Sequence, residues 1–122
     1  MITTEFNQKS GILTVSLFDD VSFQNILDYL YKLKQVKNMP EDLRLLYDTR
    51  SARVMIDKEQ LKIVSDIAIE TFSSYKSVRS AFVVKNAIEQ GYSKLFVGFA
   101  TNDKPERNTF NSIEEALQWL SA

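Results

Sequence analysis

Val78-Arg79-Ser80-Ala81-Phe82-Val83-Val84 ends in an unbroken apolar run from Ala81 to Val84. Such a run, without polar alternation, is the pattern of a central strand covered on both faces. Asn86 follows at once and can cap a helix, with Glu89 at the reciprocal position. Ile88, Tyr92, Leu95, Phe96 and Phe99 then recur at helical spacing and define an inner face. Gly91 and Gly98 fall near one side of that helix. Their spacing predicts close packing, at some cost in helix propensity.

The same grammar repeats upstream. Leu43-Arg44-Leu45-Leu46-Tyr47 reads as a short strand ending at Asp48, followed by a loop from Thr49 to Ile56. A helix then begins at Asp57, with Gln60 as capping-box partner, Ile56 placed to staple onto Leu61, and an apolar face through Val64, Ile67, Ala68 and Phe72. Before that strand, Ser22 caps a helix whose stripe is Phe23, Ile26, Leu27, Leu30 and Leu33, stopped by Met39-Pro40. Tyr29 and Tyr31 flank Leu30 as half-buried residues. At the start, strands over Ile2–Asn7 and Ile12–Phe18 are joined by Gln8-Lys9-Ser10-Gly11, where Gly11 can take a positive φ.

Downstream, Pro105 to Phe110 is a polar last strand, suited to a sheet edge. Its charged stretch Glu106-Arg107-Asn108 argues against edge-to-edge pairing with another copy, while a helix-mediated homodimer stays open. Ser112 caps the final helix with Glu115 at the box position. Ile113, Ala116, Leu117 and Leu120 face inward, with Trp119 sealing the end. The order β-β-α-β-α-β-α-β-α predicts an α/β fold: one domain over residues 1–122, built on a mixed five-stranded sheet with four helices.

Composition narrows the function classes. The 122 residues include no histidine and no cysteine. The side chain that most readily exchanges protons near neutral pH is therefore missing, together with thiolate chemistry and the usual zinc ligands. No cofactor is called for, and a non-enzymatic role is the expectation. The formal net charge is −1, with no basic excess to suggest nucleic acid. No apolar run approaches a membrane span and the first residues do not read as a signal peptide, so the expected location is the cytoplasm.

The N-terminal hairpin, Leu43-Arg44-Leu45-Leu46-Tyr47-Asp48, Ala81-Phe82-Val83-Val84 and the closing Phe110-Asn111-Ser112-Ile113-Glu114-Glu115-Ala116-Leu117-Gln118-Trp119-Leu120 together resemble the STAS superfamily, and within it the SpoIIAA-like branch of small stand-alone proteins. The resemblance runs over almost the whole chain. It implies a regulatory, protein-binding module like the anti-sigma factor antagonists, docking through the second helix and the loop before it. Those antagonists carry an Asp-Ser-Ser-Gly-like turn whose second serine accepts a phosphate. Here the aligned stretch is Asp48-Thr49-Arg50-Ser51-Ala52: Arg50 stands at the acceptor position and Ser51 lies one residue late. Thr49 and Ser51 are the remaining candidates for phosphorylation. SpoIIAA-like proteins also resemble lipid-carrying SEC14-type domains in outline, which implies a small apolar or lipid-like ligand as the alternative.

Three groups of residues are candidate sites. Asp48, Thr49, Arg50, Ser51 and Arg53 should lie beyond the carboxyl ends of parallel strands, where ligands gather in such sheets. The arginines and hydroxyls could hold a phosphate or carboxylate; the plainer reading pairs the arginines with nearby acids. Asp19, Asp20 and Asp48 could suggest Mg²⁺, but helix-start chemistry accounts for them and no metal site is expected. Tyr92, Phe96, Phe99 and Trp119, with Phe72 and Tyr75, would either border an apolar pocket or pack as ordinary core.

Overall fold

The structure, a computed structural model, describes residues 1–99 and 104–122. Nine elements follow in the expected order: β1 (Ile2–Asn7), β2 (Ile12–Ser22), α1 (Phe23–Gln35), β3 (Asp42–Met55), α2 (Lys58–Thr71), β4 (Ser77–Val83), α3 (Ala87–Gly98), β5 (Glu106–Phe110) and α4 (Ile113–Ser121). The strands form one sheet in sequence order. β1 and β2 are antiparallel, and the other three pairings are parallel.

Local chemistry sets the element boundaries. Gly11 takes φ 71° in the first hairpin, where Asn7 Oδ1 accepts from the backbone N–H of Lys9 and Ser10. Ser22 caps α1 with Asn25 as its reciprocal partner, and Asp57 caps α2 with Gln60. Asn86 and Ser112 each accept from the third residue of their helix. Each such cap stabilises its helix by about 1 kcal/mol.

Alternation along the strands divides the core into two layers. Leu13, Val15, Leu17, Leu43, Leu45 and Val78 meet Leu30 and Leu33 of α1, Leu61 and Val64 of α2, and Phe96 of α3. On the opposite face Ile12, Leu46, Ala81 and Val83 meet Ala116 and Leu120 of α4. The apolar run of β4 is thus covered on both sides, as its composition predicts.

Some expectations change. The stretch from Thr49 is strand up to Met55, not loop. Beyond Asp48, β3 leaves β4 and pairs with β2 alone, in register from Phe18↔Ser51 to Ser22↔Met55. The two polar stretches satisfy each other's backbone groups, a pairing that the hydrophobic pattern of neither one announces. A register shift between Ser16 and Phe18 moves the inward positions of β3 from Leu43, Leu45 and Tyr47 to Ala52 and Val54. Gly91 and Gly98, expected to permit close packing, are exposed, and among the described residues no atom outside the helix's own backbone lies within 4 Å of where a Cβ would stand. α3 buries Phe96, whereas Ile88, Tyr92 and Leu95, expected on its inner face, are exposed, Ile88 to 76%.

Candidate functional site: an apolar cavity under α3

The prolonged β2–β3 ribbon, the sheet and helices α1, α2 and α3 border a half-open cavity of about 480 Å³. That lies within the size range of small-molecule sites, about 300–1,000 Å³. It sits toward the carboxyl ends of the parallel strands, where open α/β sheets bind ligands. Tyr47 and Phe82, paired in register on β3 and β4, stack with ring centroids 4.9 Å apart. Phe96 meets Phe82 edge-on at 5.5 Å. Val64, Ala68 and Phe72 come from α2. Exposed members of the lining, among them Arg53, Lys85, Ile88 and Tyr92, form its rim.

A few polar groups interrupt this apolar wall. The Tyr29 and Tyr47 hydroxyls lie 3.0 Å apart. Burial raises both of their pKa values, that of Tyr47 to about 12, because the phenolate would be desolvated. Arg107, 6% exposed, donates from Nη1 to Ser65 Oγ at 2.7 Å and to the Phe96 carbonyl at 2.9 Å, and its guanidinium lies 4.1 Å from the Phe96 ring centroid. Burial lowers its pKa to about 10. Among the described residues, two buried side-chain polar atoms have no hydrogen-bond partner, Ser80 Oγ and Glu89 Oε2, and both residues line this cavity.

The site residues expected from sequence are divided by the strand. Thr49 lines the cavity and donates to the Val83 carbonyl at 2.8 Å, bridging the point where β3 leaves β4. Arg53 stands on the rim, forked to Asp20 at 3.1 and 3.4 Å. Asp48 and Arg50 form their own bidentate pair at 2.9 and 3.0 Å. Hydrogen bonding from Arg50 holds the Asp48 carboxyl below its ordinary pKa. Ser51 is exposed. The arginines therefore pair with nearby acids, and among the described residues Asp19, Asp20 and Asp48 form no metal-holding cluster. Asp19 and Asp20 are strand residues rather than helix-start residues.

The aromatic group is divided as well. Phe72, Tyr92 and Phe96 line the cavity. Tyr75 packs against Phe72 at 6.4 Å, and Phe99 receives Lys62 at 5.5 Å from its ring centroid. Trp119 lies on the opposite face of the sheet, against Phe110 and Arg79. Sequence reasoning missed Arg107, Ser80, Tyr29 and Tyr47. The polar strand Glu106-Arg107-Asn108 reads as solvated edge, yet alternation turns Arg107 inward while its neighbours face water. Of the two tyrosines beside Leu30, Tyr29 is buried and Tyr31 is 67% exposed.

This architecture is the SpoIIAA-like fold. A solved structure similar to it is an uncharacterized protein of the DUF3478 family, with a SpoIIAA-like fold, from Shewanella loihica PV-4. The TM-score is 0.64 at 15% sequence identity, over 98% of this chain and 92% of that one. No family model matches the sequence, and no curated protein matches it. Among the described residues, no helix is long and apolar enough to cross a membrane.

Proposed function

We propose that this protein is a non-enzymatic binding module that carries a small, largely apolar ligand between its sheet and α3. The observation that carries this reading is the 480 Å³ cavity, walled by aromatic and aliphatic side chains and interrupted by a few inward polar groups. An ordinary core at native packing density leaves few voids larger than a water molecule. The open mouth beside α3, with Ile88 and Tyr92 exposed at the rim, provides the path in and out.

Nile red, a neutral apolar dye that fluoresces on leaving water, tests it. Saturable binding at one site is expected, and the cavity-filling variant Ala68→Phe should lose it while keeping the native circular dichroism. Nile red binding equally to wild type and to a folded Ala68→Phe would overturn the reading, as would no binding to wild type.

A second reading keeps the regulatory role that the fold resemblance implies, with a protein partner docking on α2 and the end of β3. What favours it is the exposure of Met55 and Ile63 there. In this reading Ser51 is the phosphoacceptor, because it is exposed whereas the Thr49 hydroxyl is engaged with Val83. A phosphate there would add strong acceptor oxygens beside Arg50 and Arg53. Mass spectrometry of protein from its own host tests this: phosphate at Ser51 is expected, and its absence under all growth conditions counts against a switch.

A further inference from the structure

Arg107 is a buried cation whose recorded partners are all neutral: the Ser65 hydroxyl and carbonyl, the Phe96 carbonyl and the Phe96 ring. Among the described residues, none of the ion pairs includes it. Asp66 acts on it only at longer range, and a charge withdrawn from water with no carboxylate in direct contact is costly. Its hydrogen bonds leave one edge nearly unused. Nη1 makes two bonds, Nη2 makes a single long one of 3.4 Å to the Ser65 carbonyl, and Nε makes none among the described residues. Nε and Nη2 form the edge through which Arg50 grips Asp48 and Arg53 grips Asp20. It is the geometry that matches a carboxylate.

Ser80 stands directly beside Arg107 in the parallel register of β4 and β5. It is 2% exposed, it lines the same cavity, and its hydroxyl has no partner. Among the described residues, a hydroxyl without a partner stands next to a cation without an ion pair, both on an apolar cavity, which is the complement of one small anion.

We propose that the cavity binds an amphipathic monocarboxylate, its apolar acyl or aryl body on the Tyr47–Phe82 rings and its carboxylate held by Arg107 Nε and Nη2 with Ser80 Oγ. This inference rests on the ligand-carrying reading above and names the chemistry of its polar end.

Decanoate and decanol, equal in chain length and different in head group, test it by isothermal titration calorimetry on the full wild-type chain at neutral pH. Decanoate should bind at one site at least about tenfold tighter than decanol, the advantage of a charge-assisted fork over a neutral hydrogen bond. Ser80→Ala and Arg107→Gln should each narrow that gap. Equal affinities in the wild type would overturn the proposal whether or not either variant folds. If Nile red still bound at one site, the carrier reading would stand without it. If neither decanoate nor decanol bound and Nile red also failed, both would fall.

Discussion

Tyr47 lies flat on Phe82, the planes of the two rings only 9° apart, because parallel register places them side by side on β3 and β4 facing the same cavity. Tyr29 then meets Tyr47 edge-on at 6.1 Å from α1, with its hydroxyl on that of Tyr47. One pair of side chains therefore both floors the cavity and ties helix to sheet. Phe82→Leu removes the stack and part of the floor. Equilibrium urea unfolding should show a loss of about 1–2 kcal/mol.

Tyr29→Phe or Tyr47→Phe alone leaves the other hydroxyl without this partner in a buried site. Each single change should cost about 1–2 kcal/mol, whereas the double change should cost little more than either one. A double-mutant cycle of unfolding free energies reads that coupling directly. Additive losses would mean that the 3.0 Å contact contributes nothing.

The same pair gives a pH dependence. The Tyr47 hydroxyl keeps its proton in the folded chain up to about 12, against the ordinary value of 10.0. Between those limits the folded state binds more protons than the unfolded one. This contribution to stability is therefore present below pH 10 and lost as pH rises to about 12. Arg107, lowered to about 10, acts in the opposite direction over the same range. Comparing wild type with Tyr47→Phe at each pH reads Tyr47 together with its coupling to Tyr29 and Arg107. The stability of wild type should fall relative to the variant across this window, by on the order of 2 kcal/mol. A constant difference would contradict it.

Asp48 and Arg50 make a self-contained surface pair. Arg50→Ala should raise the Asp48 pKa toward its ordinary value, followed by carbon-13 NMR of the carboxyl. The pair contributes above the ordinary value and is lost as pH falls through the lowered folded value, because Asp48 is the proton acceptor. Exposure of the arginine limits the effect at neutral pH to less than about 1 kcal/mol.

Gly91→Ala should stabilise the protein by about 1 kcal/mol. The position is helical and an added Cβ meets nothing, so the change removes only the conformational freedom of glycine. A thermal melt checks it. Destabilisation would mean that Gly91 does not face the open space in which this structure places it.

Much of the fold was legible because its signals are local. Ser22 with Asn25 and Asp57 with Gln60 are capping boxes in the structure, and Gln60 was readable from spacing alone. Ala81 to Val84 announced a strand covered on both faces, and α4 covers one of them as Ala116 and Leu120 foretold. The candidate site was less legible. Thr49 to Met55 carries too many polar residues to read as strand. It becomes one only because Phe18 to Ser22, far away in sequence, offers matching backbone groups.

The order of elements, the caps, the covered β4 run and the scarcity of chemistry for catalysis follow from the amino-acid sequence by itself, since each depends on residues within a few positions of one another or on composition. Tertiary structure alone decided that Arg107 and Ser80 stand side by side under α3, that Thr49 and Arg53 face a cavity while Asp48 and Arg50 pair apart from it, and that Trp119 belongs to the other face. Those outcomes depend on the strand register, on the shift between Ser16 and Phe18, and on how closely α3 settles on the sheet. Each is set by contacts between segments distant in the chain, which no local pattern of residues encodes.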